Sequence, residues 1–165
     1  MHVSSLAGED EPDAKVPIYI NEDTLIMEFA LHFRPFIFDF LNDMKDKFEL
    51  ILYSSLNPTY VSAIVECLER KEKYFVHRFG EDFCIFANLS YGVKCLDFLL
   101  GNRNQEDIIL VDTTVKCLPH YPDNFVPVPA YSWKNSKDQE LPKLASLLDL
   151  LYKEQNVTEA ISDFR

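Results

Sequence analysis

The stretch DIILVDT, residues 107–113, is the clearest guide to the fold of this chain. Its apolar residues are consecutive, as expected for a β-strand that is covered on both faces, and a polar pair follows directly. The stretch ELILYSS, residues 49–55, has the same form. Apolar residues at helical spacing occupy residues 34–47, 57–68 and 140–152. Strands that alternate with helices predict an α/β domain with a mostly parallel central sheet.

A third apolar run, residues 16–20, is predicted to be the first strand of this sheet. In open parallel sheets, ligands bind in the crevice at the carboxyl ends of the strands. This rule selects the three short polar segments that directly follow the predicted strands, at residues 21–24, 54–55 and 112–113. We therefore expect these segments to line one polar crevice.

The composition limits the possible classes of function. The 165 residues carry a net charge of −11, which argues against nucleic acid or anionic lipid as the main ligand, because both require a basic surface. Residues 1–15 are acidic and polar and are predicted to form a flexible leader before a single domain over residues 16–165. No apolar run approaches the roughly 20 residues of a membrane helix, so we expect no transmembrane segment. Neither the cysteines nor the histidines show the spacing of a zinc site.

The order and spacing of these segments resemble the haloacid dehalogenase superfamily, and within it the phosphatases of the polymerase C-terminal domain, the NLI-interacting factor group. The resemblance extends over about residues 16–163 and includes residues 34–35 and 93–94. It implies a three-layer, Rossmann-like fold. In this family the first strand ends in Asp-x-Asp-x-Thr, where one carboxylate attacks phosphorus and the second transfers a proton to the leaving oxygen. Later strand ends supply a hydroxyl and a lysine for the phosphoryl group and an acid for Mg²⁺.

Three residues of this chain match those later positions. By the resemblance, Ser54 is the hydroxyl that binds a phosphoryl oxygen, Lys94 neutralises its charge, and Asp112 is the magnesium carboxylate. With Asp23 as a second source of oxygen ligands, these residues imply a relic magnesium site that binds the ion weakly. No other cofactor is expected.

The first motif departs from the family pattern. If the strand ends directly before the nucleophile, Asn21 stands in the nucleophile's place and Asp23 in that of the acid/base; we prefer this register because it keeps the apolar strand intact. If Thr24 is matched to the motif threonine, Ile20 and Glu22 take these two places. Neither an amide nor an aliphatic side chain attacks phosphorus, and losing such a group generally costs several orders of magnitude in rate. The sequence therefore predicts a catalytically silent binding domain, a pseudophosphatase with a degenerate site.

Three short segments are similar to the presequence-receptor subunit of the mitochondrial inner-membrane translocase: residues 53–55, residues 111–113, and Trp133 with the helix that follows. This resemblance implies a receptor in the import of preproteins, located in the mitochondrion or a mitochondrion-derived organelle. Its partners would be translocase subunits and basic presequence peptides, which suit an acidic domain.

Two alternatives remain open. One is a magnesium-dependent protein serine phosphatase of the polymerase C-terminal-domain type. The other is a non-catalytic regulator that binds phosphopeptides through Ser54 and Lys94. For these alternatives we expect the nucleus or the cytoplasm as the location.

Overall fold

The computed structural model describes residues 2–5, 11–21, 24–85, 92–114 and 120–164. Strands and helices alternate along much of it, so the predicted mixed α/β class is confirmed. The strands are β1 (His2–Ser5), β2 (Ala14–Asn21), β3 (Thr24–His32), β4 (Ile51–Tyr53), β5 (His77–Phe79), β6 (Cys84–Ile85), β7 (Val93–Lys94), β8 (Leu110–Asp112) and β9 (Phe125–Pro127). The α-helices are α1 (Ile37–Lys45), α2 (Pro58–Leu68), α3 (Glu140–Leu151) and α4 (Val157–Asp163).

Helix α2 shows how the local sequence determines an element. The Asn57 side chain accepts a hydrogen bond from the Thr59 backbone N–H, 3.0 Å away, and so caps the first turn. Pro58 occupies the first helical position, where its missing N–H is not required. Apolar residues at helical spacing then face the core: Val61, Ile64, Val65 and Leu68. The helix predicted for this segment is confirmed.

The described strands form four small sheets and not one central sheet. β4 pairs in parallel with β5, and α2 lies between them in the chain, as expected for a βαβ unit. β8 also pairs in parallel with β9. β6 and β7 form an antiparallel pair, and β1, β3 and β2 form an antiparallel sheet of their own. Within the described residues, the parallel part of the expected Rossmann-like sheet consists of two short strand pairs.

The structure corrects the prediction that residues 16–20 form the first strand of the parallel sheet. They lie in β2, which is antiparallel to β3, with Asn21 opposite Thr24. A separation of two residues along the chain is the usual one between the strands of a β-hairpin. The predicted strand is therefore present, but it belongs to a different sheet.

Burial along β2 explains why the sequence was misleading. Val16 and Ile18 are buried, whereas Pro17 and Tyr19 are exposed. Such alternation is typical of an antiparallel strand with one face in solvent. Proline and tyrosine interrupt the apolar run only weakly, so the sequence alone does not show that buried and exposed residues alternate along this strand.

Three apolar clusters form the core. The first packs helices α1, α3 and α4 against β8, through Val111, and against Leu50, the residue before β4. The second, centred on Leu96, contacts β8 through Leu110 and β4 through Ile51. The third lies between α2 and the hairpin of β2 and β3. Because consecutive residues of a strand face opposite sides, β8 lies between two apolar layers.

A buried ion pair joins the segment before α1 to the segment before α3. Arg34 Nε donates to Asp138 Oδ1 at 2.7 Å, and Nη2 donates to Oδ2 at 2.9 Å. The third guanidinium nitrogen, Nη1, donates to the Pro129 carbonyl at 2.8 Å. The two side chains are only 5% and 6% exposed. Hydrogen bonding from Arg34 lowers the pKa of the Asp138 carboxyl below its usual value.

The amino-terminal region contains regular structure within the predicted leader. Residues 2–5 form β1, which pairs with β3. The boundary between leader and domain at residue 15 stays a prediction. In the part of the chain that is described, no helix combines the length and the apolar character needed to cross a membrane.

Candidate functional site

The site is built on the carboxyl end of β8. Asp112 is the last residue of this strand, and one of its carboxylate oxygens accepts a hydrogen bond from the ammonium of Lys94, at the end of β7. The other oxygen accepts from the Thr113 backbone N–H at 2.6 Å. Only 9% of the Lys94 side chain and 16% of the Asp112 side chain are exposed. The pair is therefore largely shielded from water, which strengthens its attraction.

Tyr53 connects this pair to β4. The Lys94 ammonium lies 5.4 Å from the centroid of the Tyr53 ring, a distance that allows a cation–π interaction. The Tyr53 hydroxyl donates to the Phe83 carbonyl and accepts from the Cys95 backbone N–H at 3.1 Å. Burial raises the pKa of Tyr53 well above its ordinary value, so the phenol stays protonated at neutral pH. These contacts hold the carboxyl ends of β4 and β7 together.

Ser54 follows Tyr53 directly, in the turn after β4. Its backbone N–H donates to the Phe79 carbonyl at 2.9 Å, which extends the pairing with β5. Its hydroxyl oxygen accepts from the Leu56 N–H at 3.2 Å. Because Tyr53 contacts Lys94, the structure brings Ser54, Lys94 and Asp112 to the same end of the two parallel strand pairs.

The first segment of the predicted site, residues 21–24, is not placed beside Ser54 and Asp112 by the described residues. Asp23 and Glu22 lie outside the described residues, and only the backbone of Asn21 is described. β2, which ends at Asn21, pairs with β3 and, within the described part of the chain, with neither β4 nor β8. The strand on which the assignment of Asn21 depended is therefore not a member of the sheets that carry Ser54 and Asp112.

Two contacts at the site were not predicted from the sequence. From the sequence, Tyr53 is predicted to end a strand and to begin the segment that resembles the presequence receptor. A tyrosine at the last position of an apolar strand can also bury its ring and direct its hydroxyl to a polar partner. Cys95 participates through its backbone N–H, which no side-chain pattern reveals.

Asp112 is the residue of this site best suited to a hard cation. Mg²⁺ prefers oxygen ligands and is commonly bound through one or two carboxylates, with water completing its shell. Among the described residues, no group of three Asp, Glu, His or Cys side chains is placed to hold a metal ion. Asp112 therefore has the right chemistry for Mg²⁺, and the weak magnesium site remains an expectation.

Comparison with known protein families shows the family to which this chain belongs. Residues 2–158 match the family described as NLI interacting factor-like phosphatase. This chain belongs to that family. The match covers the parallel pairs, the hairpin and the Lys94–Asp112 pair, so the predicted resemblance to the polymerase C-terminal-domain phosphatases is confirmed.

Individual members of the NLI interacting factor-like family are similar over most of this chain. A probable C-terminal domain small phosphatase of Dictyostelium discoideum is 30% identical over 163 residues, 98% of this chain and 51% of the relative. Human carboxy-terminal domain RNA polymerase II polypeptide A small phosphatase 1 is 26% identical over 154 residues, which are 93% of this chain and 56% of the relative. CTD nuclear envelope phosphatase 1 of Xenopus laevis is 22% identical over 151 residues, which are 92% of this chain and 59% of the relative. The chain thus spans about half the length of these relatives.

Family membership overturns the prediction of a catalytically silent domain. That prediction is wrong, because the relatives are named as phosphatases. It depended on placing Asn21 at the nucleophile's position through β2, a strand of another sheet. The identity of Asn21 is therefore no evidence that the attacking aspartate has been lost. Protein transport and the mitochondrial inner membrane find no support among these relatives.

Proposed function

We propose that this family member acts as a protein serine phosphatase of the C-terminal-domain small phosphatase type, with Mg²⁺ as its cofactor. The observation that carries the proposal is the Lys94–Asp112 pair, a shielded ammonium and carboxylate at the carboxyl end of β8. The ends of parallel strands are where α/β sheets bind their ligands. The phosphatase family to which this chain belongs supports phosphate as the ligand.

Each predicted residue would have a separate task. Lys94 would neutralise charge on the phosphoryl oxygens, and its contacts with Asp112 and the Tyr53 ring keep its ammonium at the carboxyl end of β8. The Ser54 hydroxyl would donate to another phosphoryl oxygen. Mg²⁺ held by Asp112 would supply positive charge where negative charge develops during transfer.

The names of the relatives favour a nuclear location. CTD nuclear envelope phosphatase 1 of Xenopus laevis and nuclear envelope morphology protein 1 of Schizosaccharomyces pombe are named for the nuclear envelope. The human relative is named for a polypeptide of RNA polymerase II. We infer that the substrate is phosphoserine within a polypeptide and that the protein acts in the nucleus or at its envelope.

Hydrolysis of an aryl phosphate and of a phosphoserine peptide by the purified protein, with Mg²⁺ present, tests this function. We expect turnover well above the uncatalysed rate, and a loss of kcat/KM of roughly 100-fold or more in Asp112→Asn and in Lys94→Met. Lys143→Met is the matched control, because Lys143 also pairs with a carboxylate but is 68% exposed on α3; it should keep full activity.

Two results would refute the proposed function. One is turnover that neither Asp112→Asn nor Lys94→Met reduces. The other is the absence of turnover above the uncatalysed rate when Mg²⁺ is present.

A further inference from the structure

An open pocket of about 470 Å³ lies between the segment before β2, the end of β3 and the segment after β9. Its volume is within the range of about 300–1,000 Å³ that is usual for ligand-binding pockets. Two carboxylates, two aromatic rings, an imidazole and an ammonium line it: Glu11, Asp13, Tyr131, Trp133, His32 and Lys134. The phosphatase function proposed above uses none of these groups.

The pocket lies near the carboxyl end of β8. The segment that carries Tyr131 and Trp133 begins where β9 ends, and there the Val128 N–H donates to the Asp112 carbonyl at 2.9 Å. Trp133 follows Val128 by five residues, which span at most about 18 Å when fully extended. Trp133 is therefore within roughly 20 Å of Asp112, a distance that an extended peptide covers in about six residues.

Contacts with buried side chains hold the two aromatic rings in place. His32, which is only 8% exposed, stacks on Trp133 with ring centroids 5.3 Å apart and an angle of 22° between the planes. The Arg34 guanidinium donates to the Pro129 carbonyl at 2.8 Å and lies 5.7 Å from the centroid of the Tyr131 ring. Because both rings are already held at the pocket, a ligand loses less free energy in ordering them.

The charge of the pocket favours a cation. Two carboxylates and one ammonium line it, and within the described part of the chain neither Glu11 nor Asp13 belongs to an ion pair. Asp13 accepts from the Phe33 N–H through Oδ2 at 2.7 Å, which orients its carboxylate. Burial, and then the negative charges of Asp13 and Asp138, raise the pKa of Tyr131 above its ordinary value. Negative charge is therefore present beside the aromatic wall.

The aromatic rings already contact cations of the chain itself. The Lys134 ammonium lies 5.3 Å from the centroid of the Trp133 ring, and Arg34 contacts Tyr131. These distances allow cation–π interactions. Arg34 is buried and paired with Asp138, whereas Lys134 is exposed and, among the described residues, has no carboxylate partner. A ligand could therefore displace the Lys134 ammonium from the indole at little cost.

We propose that this pocket, the arginine pocket, binds the guanidinium of an arginine in a bound polypeptide. A guanidinium is planar, stacks on aromatic rings and donates two parallel hydrogen bonds to a carboxylate, whereas an ammonium is a strongly hydrated point charge. The arginine displaces Lys134 from Trp133 and donates to Glu11 and Asp13. In a phosphoserine substrate it lies within about six residues of the phosphoserine; this last step alone rests on the proposed function.

A single NMR signal tests the arginine pocket directly. Trp133 is the only tryptophan in the sequence, so the indole N–H signal of the full chain reports on this pocket alone. The probe is a short unphosphorylated peptide of glycine and serine with one arginine, and its control has citrulline, an uncharged analogue of nearly the same shape. The arginine peptide should shift the signal saturably, and the citrulline peptide should bind at least about 10-fold more weakly. Equal binding of the two peptides would overturn the arginine pocket.

A trimethyl-lysine peptide distinguishes a guanidinium from other cations. Trimethyl-lysine keeps the positive charge but has no N–H to donate to the carboxylates, so this peptide should bind more weakly than the arginine peptide. Tighter binding of the trimethyl-lysine peptide would overturn the assignment to arginine. A shift of the indole signal by phosphatidylcholine vesicles, with none by the arginine peptide, would also overturn it.

Variants that remove the carboxylates test their role without disturbing the rings. Glu11→Gln with Asp13→Asn removes both charges and keeps an oxygen that can accept from the Phe33 N–H, and it should weaken binding of the arginine peptide at least about 10-fold. Glu154→Gln with Glu159→Gln is the matched control, because it removes two exposed carboxylates elsewhere and should leave binding unchanged. Equal effects of the two double variants would contradict the arginine pocket.

Replacing the competing lysine should have the opposite effect. Lys134→Gln removes the cation that contacts the indole, so it should strengthen binding of the arginine peptide about 3-fold. Lys137→Gln, at another exposed lysine of the same segment, is the control for net charge and should strengthen binding less. Weaker binding in Lys134→Gln would contradict the displacement of Lys134.

The phosphatase assay extends the test to the substrate and can fail separately. Among phosphoserine peptides with arginine at each position up to six residues away, the best should exceed its citrulline analogue at least about 5-fold in kcat/KM, mainly through KM. Saturable binding of the arginine peptide without any turnover would refute the proposed function and leave the arginine pocket intact. Turnover that is equal for arginine and citrulline substrates, with no shift of the indole signal, would refute the pocket and leave the function intact.

Discussion

Two shielded ion pairs in this molecule have similar chemistry but different surroundings. Arg34 and Asp138 share two parallel hydrogen bonds, and a backbone carbonyl accepts a third from the guanidinium. Lys94 and Asp112 share one hydrogen bond, at the carboxyl end of β8. The planar guanidinium leaves its carboxylate little freedom, whereas an ammonium is a point charge that can turn to a ligand. The first pair therefore has the geometry of a structural contact and the second that of a binding site.

Breaking the Arg34–Asp138 pair should have the largest effect on stability. Arg34→Met leaves the Asp138 carboxylate buried without its partner, and removal of one member of a buried pair costs about 3–5 kcal/mol of unfolding free energy. Urea denaturation measures this loss. The double variant Arg34→Met, Asp138→Leu should recover most of it, because no charge then stays buried. A loss below about 1 kcal/mol in the single variant would contradict a structural role.

The equivalent substitution at the other pair should cost less stability. In Lys94→Met, the Asp112 carboxylate keeps its bond from the Thr113 N–H and partial contact with water. We expect a loss of about 1–2 kcal/mol in urea denaturation, alongside the much larger loss of turnover. If Lys94→Met unfolds as easily as Arg34→Met, the contrast between the two pairs is wrong.

A change of pH should give the smallest effect and still distinguish the pairs. Hydrogen bonding from Arg34 lowers the folded-state pKa of Asp138 below the unfolded value of about 3.9. A carboxyl with a lowered pKa stabilises the fold fully above its unfolded pKa, and that contribution is lost as the pH falls through the folded pKa. Between about pH 5 and pH 2, the wild-type protein should therefore lose more unfolding free energy than Arg34→Met. Equal losses in urea titrations at the two pH values would show that Asp138 is not the responsible group.

Features that depend on neighbours in sequence were predicted well. Asn57 and Pro58 mark the start of α2, and consecutive apolar residues mark β4 and β8. The resemblance to the phosphatase family also grouped Lys94 with Asp112, and the structure pairs them. The predictions of α2, β4 and β8, by contrast, rest on local patterns alone.

Features that depend on distant partners were not predicted. The run that contains Tyr19 reads as a buried strand, and only its pairing with β3 reveals that every second residue faces solvent. No local pattern marks Asp138 as the partner of Arg34, although Arg34 itself belongs to a recognised motif. Sheet membership and ion pairing across the chain depend on tertiary packing, which composition and periodicity do not specify.

The separation of Arg34 and Asp138 along the chain has a consequence for the order of folding. The two residues are 104 positions apart, so their contact closes a long loop at a large entropic cost. Contacts of this kind form after local structure is in place, whereas the cap of α2 joins immediate neighbours and can form early. We infer that the junction between β3 and α1 is the last part of the domain to become rigid. A nascent chain would carry this junction exposed until the segment before α3 has been synthesised.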